Sequence, residues 1–186
     1  LQKAVAVGVI PCMDAVLIVN TVHGIIYNKD LFEKHGWKEP KSFSELEALA
    51  PKIKEANVNL SVADFTLSGS GFQYLFNIAN TKFLRSAEGV QWEKDFLAGK
   101  VGAKQRWTST INYVQKWIDM GMFTTPEDST KEPGEVFNEG NTAFYISTCN
   151  ALSANETTEV NCGYIPWLTQ DGTNNRYIIS VSRYFG

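Results

Sequence analysis

The sequence predicts an α/β fold, because short runs of β-formers alternate with amphipathic helical stretches along one chain. Three observations carry this. Gly24 to Tyr27 is a run of β-formers, and Asn28-Lys29-Asp30 then turns the chain into a helical segment, Leu31 to His35, stopped by Gly36. Ser42 and Glu45 have the spacing of a capping box, in which the hydroxyl accepts an early backbone N–H and the carboxylate reaches back. Phe43, Leu46, Leu49 and Ile53 follow at spacings of three and four, so this helix carries one apolar stripe. The alternation predicts a sheet of about four to six strands flanked by helices.

The remaining elements follow in order. Val5 to Ile10 and Ala15 to Val19 read as two short strands. Pro51 lies inside the capped helix and predicts a bend there, with an end near Asn57. Leu60 to Phe65 alternates as a strand, Thr66 to Gly71 is a loop, and Phe72 to Ala79 starts an apolar helix. Ser86 to Leu97 is a helix ended at Gly99. Ser109 to Met120 has the clearest helical period, with Ile111, Val114 and Ile118 lining one face, Trp117 flanking it and Gly121 closing it. Thr124 to Pro133 is polar linker, Glu135 to Asn138 helical, and Thr142 to Ile146 and Asn161 to Ile165 are strands. A polar turn, Trp167 to Asn175, leads to the last strand, Tyr177 to Val181.

A chain of 186 residues that is 44% hydrophobic and 12% aromatic can bury a core, which excludes a disordered segment. The whole chain, residues 1–186, reads as a single α/β domain. Its net charge of −3 comes without any Lys/Arg run, so nucleic acid is not an expected partner. Cys12, Cys149 and Cys162 are too few for a disulfide scaffold and too widely spaced for zinc. They read as buried thiols, with a Cys149–Cys162 pair as the alternative in an exported protein. No metal or other cofactor is expected. The apolar stretch Ala4 to Val22 is interrupted by Pro11, Asp14 and Asn20, which rules out a clean membrane span, and no signal peptide is visible.

Several motifs recur together. Tyr27 to Phe32 reads YNKDLF and is followed by Gly36, a proline linker and Ser42-Phe43-Ser44-Glu45-Leu46. Phe137 to Ile146 fits F-x-x-G-x-x-A-[MF]-x-[IV]. Upstream of it a helix ends at Gly121, followed by Phe123 and Pro126-Glu127-Asp128; downstream come Gly163-Tyr164-Ile165-Pro166 and Ile178-Ile179-Ser180. This series, from about Thr21 to Val181, resembles the extracellular solute-binding proteins of ABC transporters, in particular the carbohydrate-binding, maltodextrin-type group. The resemblance implies a type II periplasmic-binding-protein-like fold, here one lobe with hinge-crossing strands. By the same resemblance the chain is expected to be the second lobe, and the first lobe and the C-terminal helices would be missing.

The same resemblance implies a function: the substrate-binding component of an ABC importer, or a lobe of it, holding a carbohydrate such as an oligosaccharide without catalysis. Its implied partners are the carbohydrate, the ABC permease subunits, and either the missing first lobe or a second copy meeting the exposed cleft face. The implied location is outside the cytoplasm, with the full-length protein anchored to the membrane.

Sugar sites combine flat aromatic rings, which cover the apolar face of a pyranose, with polar groups that bond hydroxyls. In maltodextrin-binding relatives the loop after the strand that follows the capped helix supplies an aromatic and an acid. The matching stretch here holds Ser68, Ser70, Phe72, Gln73 and Tyr74, but no acid. Phe72 and Tyr74 have helix core as their alternative role. The tryptophan that relatives carry after the F-x-x-G-x-x-A strand is replaced near Asn150, which can bond a hydroxyl or cap a helix. Trp167 follows the return strand and can stack on sugar or fill the core or hinge. Asn174 to Arg176 read as a solvated turn, and Tyr27 as hinge packing.

Two other readings stay open. Asp64, beside the Ser68–Gly71 loop, is the candidate acid of a glycoside-acting enzyme, though no partner carboxylate stands at a defined place. A non-catalytic interaction domain is the third. No G-x-S-x-G, H-E-x-x-H or phosphate-loop pattern is present, and the only histidines are His23 and His35.

Overall fold

Strand β1 (Val16–Asn28) is the axis of the sheet. The computed structural model describes residues 16–63, 70–126, 130–148 and 160–185. The second half of β1 lies between β3 (Thr142–Thr148) and β4 (Cys162–Ile165), antiparallel to both. Its first half pairs antiparallel with β5 (Ile178–Phe185). Strand β2 (Asn59–Ala63) runs parallel to β3 at the sheet edge, so the order is β2-β3-β1-β4 with β5 also on β1. The five strands among the described residues fall within the expected range. The expected break between Ala15–Val19 and Gly24–Tyr27 is absent, because partners on both halves of β1 keep the ladder running through Thr21 and Val22. The expected strand at Val5–Ile10 lies outside the described residues.

Helix α1 (Lys29–His35) starts where the Asn28 side chain accepts the Leu31 N–H at 3.1 Å, and ends at Gly36 in the left-handed region, φ 67°. In α2 (Phe43–Glu55) Ser42 accepts the Glu45 N–H at 3.1 Å, while the Glu45 carboxylate accepts the Lys41 N–H at 2.7 Å, one residue before the cap. All four predicted stripe residues, Phe43, Leu46, Leu49 and Ile53, are buried. The proline does not divide α2. Pro51 and Glu47 are both exposed, so water can serve the carbonyl that the ring leaves unbonded.

Helix α3 (Ser70–Ala79) runs directly into a π-helical turn, Asn80–Leu84, and then α4 (Ala87–Leu97) and α5 (Lys104–Met120) follow. The buried face of α5 differs from the expected one. Ile111 is 53% and Ile118 37% exposed, whereas Thr110, Tyr113, Val114 and Trp117 point inward. The two stripes are rotated by about one residue, and the larger aromatic area is the one buried.

One face of the sheet, through Ile25, Phe144 and Ile146, packs on Leu31 and Phe32 of α1, on the α2 stripe and on Tyr113 and Trp117 of α5. The opposite face is a smaller cluster of Ile26, Val62 and Phe137, flanked by Tyr145 and Tyr164, under α6 (Pro133–Asn138). Cys162 is a free thiol that donates to the Val160 carbonyl at 3.3 Å; Cys12 and Cys149 lie outside the described residues. Among the described residues no helix is long and apolar enough to cross a membrane.

Candidate functional site

Four strands are brought together at one end of the sheet. The parallel pair β2 and β3 ends there, at Ala63 and Thr148. Strand β1 passes through at His23, which pairs with Thr148 on one edge and with Ile178 of β5 on the other. Beyond His23, β1 and β5 continue as a two-stranded ribbon without β3 or β4. The carboxyl ends of parallel strands are where open α/β sheets hold ligands, since the chain reverses there and leaves a crevice.

The crossing is tightly built. A Cβ on Gly24 would lie 2.7 Å from the Ile165 carbonyl oxygen and 2.9 Å from the Tyr164 ring, so only glycine lets that ring lie over the strand. The Tyr164 hydroxyl donates to the Val22 carbonyl at 2.8 Å, and Tyr177 stacks on the same ring with centroids 5.5 Å apart. His23 shares the Ile25 face by strand alternation. Its burial pushes the imidazole pKa below the ordinary 6.5. Below about pH 6.5 the unfolded chain therefore takes up a proton that the folded chain resists, and stability falls as pH drops through that value toward the depressed folded pKa. His23→Gln should flatten this part of a plot of urea midpoint against pH. An unchanged slope would assign it to other groups.

The predicted site residues separate into three groups. Phe72, in the first turns of α3, is 64% exposed, with its ring edge-on to Phe76 at 4.7 Å. Gln73 is exposed beside it and donates to Asn77 at 3.1 Å. Tyr74 is core: it is buried, stacks on Phe123 at 5.2 Å and donates to the Ile146 carbonyl at 3.1 Å. Trp167 is corrected to the core as well. It is 1% exposed, between Tyr74, Trp117 and Phe123, because its backbone bridges to Arg176 and turns the indole inward. Ser70 opens α3, while Ser68, Asn150 and Asp64 lie outside the described residues. Asn175 is a structural turn residue, accepting from the Thr169 N–H at 2.8 Å and donating to the Lys41 carbonyl at 2.7 Å. Tyr27 packs on Phe32 and donates to Glu39, at the end of β1 away from the crossing.

His23, Gly24, Tyr164 and Tyr177 were missed as parts of this crossing. A glycine inside a run of β-formers is the one signal that pointed to it. Among the described residues no group of His, Cys, Asp and Glu converges as metal ligands do. A surface groove of about 660 Å³ lies along β2, reaching the opposite end of the sheet at Asn59 and Thr142, and does not include Phe72.

The family model for the bacterial extracellular solute-binding proteins matches residues 15–184. The chain belongs to this family. Solved structures share the fold. One comes from work on xylan utilization by the thermophilic bacterium Caldanaerobius polysaccharolyticus, with TM-score 0.68 and 24% identity over 90% of this chain and 44% of that one. Another is a family 1 extracellular solute-binding protein from Bifidobacterium longum subsp. infantis, with TM-score 0.68 and 18% identity over 90% and 44%. A third is a sugar transporter from Bacillus licheniformis in complex with stachyose, with TM-score 0.65 and 17% identity over 91% and 46%. No curated protein matches the sequence. The chain thus has the periplasmic-binding-protein-like fold and spans less than half the length of the solved structures it resembles.

Proposed function

We propose that this lobe forms one wall of the oligosaccharide cleft of an ABC importer's substrate-binding component, working outside the cytoplasm and without catalysis. The observation that carries this reading is an exposed aromatic ring, Phe72, at the start of the helix that follows β2, in a chain of this family. Phe72 covers one apolar sugar face, and Gln73, with Ser68, Ser70 and Asn150, bonds the hydroxyls. The sugar-related neighbours, one of them holding stachyose, favour an oligosaccharide over other solutes. The opposite wall comes from the other lobe, and the closed pair docks on the permease subunits. Without that lobe, the same face is the surface through which copies of this chain associate.

A two-walled cleft of micromolar strength holds about −8 kcal/mol, and an even split leaves one wall near −4 kcal/mol, or roughly millimolar. Isothermal titration of this chain at micromolar concentration against malto-, xylo- and raffinose-type oligosaccharides should therefore give no heat. NMR titration at millimolar sugar should shift the amides of Gly71 to Asn77, and Phe72→Ala should abolish those shifts. A micromolar isotherm from a monomer would show that the site is complete within the chain. Absence of any shift at tens of millimolar, about ten times the expected constant, would remove the cleft assignment. The rival glycoside-acting enzyme would turn over sugar and lose that turnover in Asp64→Asn.

A further inference from the structure

A second groove, of about 550 Å³, is formed by α5, the π-helical turn and the turn after Leu168. None of the residues gathered at the strand ends lines it. Two lysines do. Lys82, from the π-helical turn, donates to the Ser109 carbonyl at 3.2 Å and sits over the Tyr113 ring, 5.1 Å from its centroid. Lys116, one turn before the end of α5, donates to the Gln170 side-chain oxygen at 3.4 Å. The ion pairs found among the described residues involve neither lysine. Both ammoniums therefore rest on neutral acceptors, and they are near enough that the Lys116 charge, after burial, helps lower the Lys82 pKa.

The acids nearby are already engaged. The Asp171 carboxylate accepts from the Thr173 N–H at 3.1 Å, from the Thr173 hydroxyl at 2.8 Å and from Thr169 at 3.4 Å. Those bonds hold its pKa below the ordinary carboxylate value and leave its negative charge in place, so an anion in this groove belongs on the lysine side, away from Asp171. Glu47 accepts from Gln170 at 3.2 Å. Asn112, exposed on the same wall, adds an amide donor.

We propose that this groove binds a tetrahedral oxyanion, phosphate or sulfate, between Lys82 and Lys116. Such an anion offers both ammoniums charge-assisted bonds in place of long contacts to neutral oxygens, and it cancels their mutual repulsion. The aromatic face of Tyr113 holds Lys82 in place for this role. The site is separate from the proposed sugar wall and does not depend on it.

The test is an NMR titration of the labelled 186-residue chain with inorganic phosphate and, separately, with sulfate, at ionic strength held constant with sodium chloride. Saturable shifts are expected for the amides of Ser109 to Lys116 and Thr169 to Asn174. Lys82→Gln should weaken the apparent affinity by about tenfold, as should Lys116→Gln at its exposed position, where the fold is least at risk. The spectrum of each variant reports directly whether it is folded. Shifts that never saturate and match those from chloride would overturn the proposal. So would an affinity unchanged in folded Lys116→Gln.

Discussion

Trp117→Ala should cost about 3–5 kcal/mol and leave the chain barely folded, since domains are stable by only about 5–15 kcal/mol. Trp117 is 0% exposed, and segments far apart in sequence meet on its ring. Phe43 of α2 lies 5.0 Å away between centroids, Phe123 after α5 stacks at 6.0 Å, and Trp167 after β4 lies at 5.8 Å. Removing the indole leaves a cavity that three aromatic neighbours cannot close together, because each is fixed by a different element. Urea unfolding followed by circular dichroism measures the loss. The paired control is Ile118→Ala on the exposed side of the same helix, which should stay within about 0.5 kcal/mol of the parent. A reversed ranking of the two would show that α5 turns its other stripe to the core.

Gly89→Ala is expected to cost about 3 kcal/mol, at the upper end for an added methyl group. A Cβ there would overlap the Phe83 carbonyl oxygen and come within 2.7 Å of the Phe83 carbonyl carbon and 3.0 Å of the Leu84 carbonyl carbon. These are backbone atoms, so no rotamer change relieves the overlap. The junction is already tied from both sides: Ser86 accepts the Gly89 N–H at 3.0 Å and donates to the Phe83 carbonyl at 2.7 Å. Alanine's better helix propensity offsets about 1 kcal/mol of the strain. Thermal unfolding decides the matter, and a melting temperature equal to or above that of the parent would mean that α4 can lift from the π-helical turn freely. The π-helical turn also carries Lys82, so the oxyanion affinity of this variant should fall with its stability.

Much of the architecture was written locally. The Asn28 and Ser42 caps, the stop at Gly36 and the α2 stripe depend on groups within about one helical turn of each other, so residue order alone determined them. The ordered motifs from Tyr27 to Ile179 likewise placed the chain in its family. Other features required the assembled tertiary structure. Two overlapping stripes on α5 are both apolar, and only the aromatic partners waiting on α2 and after β4 selected the Trp117 side. Trp167 opens a polar turn in the sequence, but its pairing with Arg176 rotates the indole into the core and removes it from any ligand surface. Pro51, where the sequence predicted a bend, lies on the exposed side of an undivided α2. The crossing at Gly24 and the lysine groove each join residues more than 30 positions apart, and no local signal encodes which distant partners a folded chain will bring together.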